Sequence, residues 1–163
     1  MGQMPPTVPA RLPPFQRFLD AHSARVWRYL VGMVGPVDAD DCFQESFLAA
    51  LRAYDRLRPE SDERAWIMTI AHRKALDHLA AGKRRPVPTG TAPEVAHHDP
   101  DAPDDALWRR VRELPRNQRA AITLRYAGDL THAQVASALG CSVEAARRSV
   151  HEGLTRLRRE PTP

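Results

Sequence analysis

The segment from Lys83 to Asp105 constrains the fold of this chain more than any other feature of its sequence. It contains five prolines and several acidic residues but scarcely any large apolar side chain. Such a segment cannot bury enough surface to offset the entropy lost on ordering, so we expect a flexible linker, residues 83–105. Residues 1–14 are also rich in proline and are predicted to form a disordered leader. The chain of 163 residues is thereby divided into two halves, 15–82 and 106–159.

The first half has apolar residues at intervals of three and four, which predicts three helices. The first begins at Phe15 and is stopped by Gly35-Pro36, because proline disfavours helical geometry at the residue before it. Asp38 is placed to cap the second helix, and the third starts near Ser61 or Asp62, after a polar loop. The second helix has the clearest buried stripe of the chain: Ala39, Cys42, Phe43, Ser46, Phe47, Ala50, Leu51 and Tyr54.

The second half shows helix start and stop signals at short intervals. Pro115 suits the first turn of a helix that ends around Gly128. Thr131 and Gln134 are spaced as a capping box for a short helix that ends at Gly140. Ser142 can then cap a final helix that extends to about Arg159. No stretch alternates as a strand does, so we expect an all-α protein of two small helical domains joined by the linker.

Composition and charge limit the classes of partner. The formal net charge is +4 and the isoelectric point is about 9.6, which permits a nucleic-acid partner without requiring one. The two cysteines, Cys42 and Cys141, are too few and too far apart for a disulfide framework or a zinc site, so we interpret them as reduced core thiols. We expect no signal peptide before the first helix and no membrane-spanning segment, because no apolar run is long enough to cross a membrane.

Residues 131–150 have the pattern of a helix-turn-helix. A small residue, Ala136, stands where the two helices would cross, and Gly140 suits a turn that needs a positive φ. Apolar positions that would lock the second helix to the first are Val135, Leu139, Ala146 and Val150. The outward face of the second helix would carry Glu144, Arg147, Arg148 and His151. Adjacent arginines on such a helix suit phosphate contacts and bidentate contacts to guanine, although an ordinary three-helix unit with solvated arginines has the same spacing.

Two surfaces of the first half remain open to interpretation from the residues alone. The outer face of the second helix carries Asp41, Gln44, Glu45, Leu48 and Arg52, a pattern that is also typical of a solvated face. Basic residues on the third helix lie near Tyr54 and Trp66, a combination that suits single-stranded DNA. The spacing of Trp66 with Ile70 favours a core position for the tryptophan.

These segments together resemble a known family. Residues 38–50, then Ala65-Trp66-Ile67 and Ile70-Ala71-His72-Arg73, are similar to the second conserved region of sigma-70 family proteins. Leu114-Pro115, Leu124-Arg125-Tyr126 and the helix-turn-helix resemble the fourth region. The order and the short linker resemble the extracytoplasmic-function (ECF) type, which lacks the first and third regions.

The resemblance implies a sigma factor that directs promoter-specific transcription initiation, and it implies a role for each surface. Residues expected to bind the β′ clamp helices of core RNA polymerase are Asp41, Gln44, Glu45 and Arg52. Residues expected at the minus-ten element are Tyr54, Arg56, Arg58, Arg64, His72, Arg73 and Lys74. Residues expected at the minus-thirty-five element are Ser142, Glu144, Arg147, Arg148 and His151. The polymerase β flap, promoter DNA and an anti-sigma factor are further expected partners, in the cytoplasm and without membrane insertion.

The sequence departs from the family pattern at two points. The usual Thr-Val-Lys-Ser-Arg run of the final helix is replaced by Ala145-Ala146-Arg147-Arg148-Ser149, which displaces the positive charge. The position after His72, often asparagine in the family, is Arg73. The promoter sequence therefore does not follow from the resemblance.

Two other classes of function are alternatives to this interpretation. A helix-turn-helix regulator that does not recruit polymerase would share the second half, and DNA affinity without polymerase would distinguish it. An enzyme would need a nucleophile–base pair, a phosphate-binding glycine loop or paired carboxylates, and the sequence shows none of them. His97-His98 lie in the linker, and His72 and His78 are off the i, i+4 spacing of a metal site. We therefore predict a protein that is not an enzyme and that needs no cofactor or metal.

Overall fold

The computed structural model describes residues 11–82 and 105–159, and the regular elements in these ranges are all helical. They comprise α1 (Phe15–Val34), α2 (Pro36–Ala53), α3 (Glu63–Gly82), α4 (Asp105–Glu113), α5 (Arg116–Ile122), α6 (His132–Leu139) and α7 (Val143–Arg159). A 3₁₀ turn, Tyr54–Arg56, follows α2, and a π-helical segment, Thr123–Ala127, continues α5. The predicted all-helical class is confirmed. The leader up to residue 10 and the linker at 83–104 lie outside the described residues.

The N-terminal half is a bundle in which α1 packs against both α2 and α3. Its apolar stripes meet in a core whose largest fully buried side chains include Phe18, Tyr29, Leu30, Met33, Ile67 and Met68. A single residue, Gly35, separates α1 from α2. Its φ of 87° lies in the left-handed region, which glycine adopts at little cost, and this allows the chain to reverse there.

The start of α2 differs from the prediction. The helix begins at Pro36 with Gly35 as N-cap and no side-chain cap, so the expected cap by Asp38 is wrong. Proline at the first helical position loses no hydrogen bond, and Asp38 lies in the first turn, where a negative charge is favourable. The predicted start of α3 is confirmed, because Asp62 Oδ1 accepts a 3.0 Å hydrogen bond from the Ala65 backbone N–H.

The C-terminal half contains the predicted helix-turn-helix, α6 and α7. The capping box is present: the Gln134 N–H donates to Thr131 Oγ1 at 3.2 Å, and the Thr131 N–H donates to Gln134 Oε1 at 3.0 Å. Gly140 ends α6 with a φ of 67°, and Ser142 Oγ caps α7 by accepting from the Ala145 N–H at 3.1 Å. Pro115 is the N-cap of α5, one position before the predicted first turn.

The two halves pack against each other through α1, which contacts α4, α5 and the π-helical segment. Buried apolar residues of both halves belong to one continuous cluster. Gly32 of α1 lies where this packing is tightest, since a Cβ there would be 2.5 Å from the Trp108 ring and 2.6 Å from the Thr123 methyl. A glycine at Gly32 therefore lets the C-terminal half approach α1 closely.

The two cysteines have different environments. Cys42 is buried in the core as predicted, and burial, together with Glu45, Asp38 and Asp41, raises the pKa of its thiol to about 11. Cys141 is exposed in the turn between α6 and α7, so the prediction of a second core thiol is wrong. That prediction relied on a helical pattern of apolar residues, and this pattern ends at Gly140, one residue before Cys141.

Neither a membrane-spanning helix nor a metal-binding cluster occurs in the two described ranges. No helix there combines the length and the apolar character needed to cross a bilayer. No group of three or more histidine, cysteine or acidic side chains is arranged there to hold a metal ion.

Candidate polymerase and promoter interfaces

The outward face of α2 combines acidic and apolar side chains. Asp41, Gln44, Glu45 and Arg52 are all exposed there, around Leu48, which is 51% exposed. Two further apolar residues, Val37 at 59% and Leu51 at 50% exposed, extend this surface along the helix. The predicted buried stripe includes Leu51, so the prediction is wrong at this residue, and the exposure of Val37 is not predicted. A signal for this face was present in the sequence. Val37, Asp41, Gln44, Leu48 and Leu51 follow one another at intervals of four, three, four and three, which places them on one side of a helix.

This mixed surface has the character of a protein interface. Large apolar side chains that are exposed together, and not singly, mark binding sites more often than chance. We refer to Val37, Asp41, Gln44, Glu45, Leu48, Leu51 and Arg52 as the α2 surface. The apolar members would supply contact area, and the acidic members would favour a basic partner.

The residues predicted to contact the minus-ten element fall into two groups. Arg56, Arg58 and Arg73 are exposed, and Arg64 and Lys74 are partly exposed, on α3 and the loop that precedes it. Tyr54 is buried: its hydroxyl donates to the Pro13 carbonyl at 2.5 Å, and its ring packs edge-on against Phe15. His72 is also buried. The basic members are therefore accessible, whereas these two aromatic side chains are buried.

His72 is paired with a tyrosine in the core. Its Nδ1 lies 2.7 Å from the Tyr29 hydroxyl. Burial, with a smaller contribution from the neighbouring Arg73, lowers the pKa of His72 from 6.5 to about 4. The ring is thus neutral at physiological pH and carries no positive charge toward DNA. Trp66, expected in the core, is partly buried and packs edge-on against Phe18 at a centroid distance of 5.6 Å.

The helix-turn-helix presents a basic face on α7. Ala146 and Val150 are buried against the rest of the unit, together with Val135 and Ala136 of α6. The five residues predicted at the minus-thirty-five element are all exposed: Ser142, Glu144, Arg147, Arg148 and His151. Ser142 is also the cap of α7, so its hydroxyl oxygen already accepts a hydrogen bond from the Ala145 backbone N–H. The structure thus brings a pair of arginines to the surface of a helix whose start is fixed.

Contacts between the halves were not foreseen from the sequence. Gln134 Nε2 donates to Asp62 Oδ2 at 2.6 Å, so the capping box of α6 is joined to the residue that caps α3. Arg112 Nη1 donates to the Val31 carbonyl at 3.0 Å, and Arg119 Nη1 donates to the Met33 carbonyl at 3.2 Å. Residues in such contacts follow no periodic pattern, and their partners lie more than seventy positions away.

Comparison with known families identifies both halves. Residues 18–85 match Sigma-70 region 2, and residues 104–157 match Sigma-70, region 4. The ECF RNA polymerase sigma factor SigC of Mycobacterium tuberculosis is 31% identical over 144 residues, which cover 83% of this chain and 76% of that protein. The ECF RNA polymerase sigma factor BldN of Streptomyces coelicolor is 34% identical over 137 residues, which cover 77% of this chain and 52% of that protein.

Solved structures share the fold. The sigma factor RpoE of Bartonella quintana, in complex with the anti-sigma factor NepR, gives a TM-score of 0.72 at 18% identity, over 88% of this chain and 94% of that one. CnrH, in complex with the cytosolic domain of CnrY, gives 0.62 at 20% identity, over 88% and 84%.

Two matched regions in this order, with an all-helical fold and a basic helix-turn-helix, define a promoter-recognition subunit of RNA polymerase. The chain belongs to the sigma-70 family and is of the ECF type. A sigma factor binds core polymerase and directs it to promoters, and the family is not a class of enzymes. A regulator that never recruits polymerase is not favoured, because region 2 is matched as well as region 4.

Proposed function

We propose that the α2 surface binds the β′ clamp helices of core polymerase, that the exposed basic residues of α3 and of the loop before it contact the minus-ten element, and that α7 reads the minus-thirty-five element. The protein would act in the cytoplasm, where polymerase acts. Its two halves would correspond to separate modules, 15–82 and 106–159, joined by residues 83–105, with 1–14 as a leader. An anti-sigma factor is a further proposed partner, since the RpoE and CnrH structures are complexes with NepR and CnrY.

The minus-ten assignment rests on Arg56, Arg58, Arg64, Arg73 and Lys74, the basic residues among those predicted for this element, all of which are at least partly exposed. Basic side chains beside aromatic rings suit a separated DNA strand, which offers both phosphates and base faces. Tyr54 and His72 are buried, so they would act by holding these basic residues in position and not by contacting DNA. In the described arrangement they face the core and have hydrogen-bond partners within the protein.

The observation that carries the proposal is the exposure of Arg147 and Arg148 on α7, whose start is capped by Ser142. Buried Ala146 and Val150 fix the rotation of the helix, so the arginines point away from the core. A capped, packed helix with basic residues near its start is the usual element for reading the major groove. An arginine that contacts guanine specifies sequence, whereas one that contacts phosphate only positions the helix.

The test replaces both arginines. Arg147→Ala/Arg148→Ala should lower promoter-specific initiation at least tenfold, since one lost base contact alone costs roughly that factor. Binding to core polymerase should be unchanged, because the α2 surface is intact. The measurement is run-off transcription with core polymerase on a library of promoter fragments, beside a core-binding assay.

The matched control is Arg158→Ala/Arg159→Ala, which removes the same charge from exposed positions at the other end of α7. It should retain transcription within a few-fold. Equal activity in the two double variants would contradict the assignment of α7, and loss of core binding in the first would indicate misfolding.

A further inference from the structure

A cleft of about 490 Å³ lies between α3, the start of α5 and the helix-turn-helix. Small-molecule sites in proteins usually enclose roughly 300–1,000 Å³, so a small ligand fits this volume. Leucine and alanine side chains form part of its wall. The polar members of the wall come from three helices and a turn: His72 and Asp77 of α3, Arg116 and Asn117 of α5, Cys141 of the turn, and Ser149 of α7. We refer to this space as the α3–α7 cleft.

His72 presents a hydrogen-bond donor to this cleft. The residue is only 5% exposed, and its Nδ1 faces the Tyr29 hydroxyl in the core. Within the described residues Tyr29 has no other acceptor, so its hydroxyl donates to Nδ1 and the hydrogen of the neutral ring is on Nε2. Nε2 has no partner in the same part of the chain, yet it is not among the fully enclosed atoms, so it opens onto the cleft that the ring lines. A buried donor without a partner favours a ligand that brings an oxygen acceptor.

The start of α5 adds positive charge to the cleft. Arg116 is exposed there and makes no hydrogen bond or ion pair with the described residues. Burial, together with the positive charges of Arg116 and Arg112, lowers the pKa of the Arg119 guanidinium, so three arginines lie close together. A guanidinium and a neutral N–H donor favour a carboxylate, which accepts hydrogen bonds through two oxygens. The acidic member of the wall, Asp77, would accept from an ammonium group of the same ligand.

Cys141 adds a nucleophile to the same cleft. Its thiol is free and exposed, whereas that of Cys42 is buried in the core. An accessible thiolate exchanges with disulfides of low molecular weight. Its sulfur attacks one sulfur of the disulfide, whose S–S bond breaks as a new S–S bond to Cys141 forms. The other half leaves as a thiolate and takes up a proton, and the proton of the Cys141 thiol passes to solvent.

We propose that Cys141 is a modification site that forms a mixed disulfide with a small carboxylate-bearing thiol, and that the attached thiol occupies the α3–α7 cleft. Its carboxylate pairs with Arg116 and accepts a hydrogen bond from Nε2 of His72. Ser149 of α7 lines the cleft, whereas Arg147 and Arg148 lie on the exposed side of that helix. The modification site is therefore separate from the surface proposed to read DNA.

The test compares two disulfides, cystine and cystamine, which differ only in the carboxylate that each half of cystine carries. The equilibrium constant for the mixed disulfide at Cys141 is measured for each in a buffer of the disulfide and its thiol, by mass spectrometry of the digested protein. The reference is the same protein unfolded in urea, where the cleft is absent and the intrinsic chemistry of the two disulfides remains. The ratio of the cystine constant to the cystamine constant should be about fivefold higher in the folded protein, the factor for one favourable, partly exposed ion pair.

Arg116→Met removes the guanidinium while keeping much of the aliphatic side chain, and it should lower this ratio to that of the unfolded chain. Arg109→Met is the matched control, since Arg109 is exposed on α4 and does not line the cleft, and it should keep the wild-type ratio. If Arg116→Met does not fold, about 1 M salt should lower the ratio of wild type instead, because salt screens an exposed ion pair. A ratio no higher in folded than in unfolded wild type, or one that neither Arg116→Met nor salt lowers, would overturn the proposal.

Discussion

At the scale of single residues, the His72–Tyr29 pair is the part of the core most sensitive to conditions. Both side chains are buried and share a 2.7 Å hydrogen bond. Burial raises the pKa of Tyr29 and lowers that of His72, so both are held neutral. An ionisable group whose pKa differs between folded and unfolded states makes stability depend on pH.

The expected effect is a loss of stability in mild acid. The folded-state pKa of His72 is about 4, below the ordinary value of 6.5. Below pH 6.5 the unfolded chain takes up a proton that the folded protein refuses, so stability present above pH 6.5 is lost as pH falls toward 4. Between pH 7.5 and 5 the loss should be about 2 kcal/mol, from roughly 1.4 kcal/mol per pKa unit. Urea denaturation at the two values measures it.

His72→Gln is the reference for this measurement, because it keeps a hydrogen-bonding side chain without the titration. Between the two pH values, the free energy of unfolding of His72→Gln should fall by about 2 kcal/mol less than that of wild type. All other residues are the same in both proteins, so their contributions cancel in the comparison. An identical pH dependence in wild type and His72→Gln would show that the pKa of His72 is not lowered in the folded protein.

Residues of this kind separate what the sequence could predict from what it could not. Cys42 was predicted in the core because it lies on a regular stripe. The same periodicity suggested that Leu51 is buried, yet it lies at the edge of the stripe and is half exposed. Periodicity locates a helix face but not its margins, since these depend on how closely neighbouring helices approach.

At the scale of elements, α6 and α7 are set by their caps and the turn between them. Gly140 has a φ of 67° and no atom within 4 Å of an added Cβ. Gly140→Ala should therefore destabilise the protein by about 1 kcal/mol through backbone strain alone. Gly140→Asn should cost less, because asparagine tolerates the left-handed region. Thermal or urea unfolding measures both.

Gly82 supplies the matched control for this prediction. It is helical, and it too has no atom within 4 Å of an added Cβ, but its φ is not positive. Gly82→Ala should be neutral or slightly stabilising. A Gly140→Ala protein as stable as Gly82→Ala would mean that the turn adopts another conformation in solution.

The α2 surface makes a prediction about polymerase. Asp41→Lys/Glu45→Lys should weaken binding to core polymerase at least tenfold, because opposite charges at the interface become like charges. Helicity should be unchanged, since substitutions at exposed positions seldom cost much stability. Competition for core polymerase measures the effect.

The control for the α2 surface reverses two exposed acidic residues on other helices, Asp20→Lys/Glu113→Lys. It matches the change in net charge and should compete as wild type does. If the α2 variant competes equally well, the docking surface lies elsewhere on the protein.

At the scale of the whole molecule, the sequence predicted the helices and their order but not their mutual packing. Capping residues act within a few positions, so Thr131, Gln134, Gly140 and Ser142 could be assigned from the sequence alone. The contact of Gly32 with Trp108 joins residues 76 positions apart, and no local rule specifies it. The site residues on α7 were placed by periodicity, whereas the burial of His72 depends on its tertiary neighbours.

The linker makes a prediction at this scale. Inserting about 22 Gly and Ser residues near Thr91 doubles the length of the linker. The free energy of unfolding should fall by only about 0.6 kcal/mol, because the entropy cost of closing a loop grows slowly with its length. Transcription should stay within a few-fold of wild type. Urea unfolding and run-off assays measure the two effects, and a collapse of folding would show that the segment is packed.

The contrast between the two cysteines has a practical consequence. A maleimide dye reacts with an exposed thiolate, and the thiol of Cys42 is buried with a pKa near 11. Cys141 is exposed at the turn between α6 and α7, beside the cleft that separates α7 from α3. Wild-type protein should therefore accept a single environment-sensitive fluorophore in the turn of its helix-turn-helix, without any engineered cysteine. The emission of that dye would report whether the surroundings of the cleft between α3 and α7 change when polymerase is added.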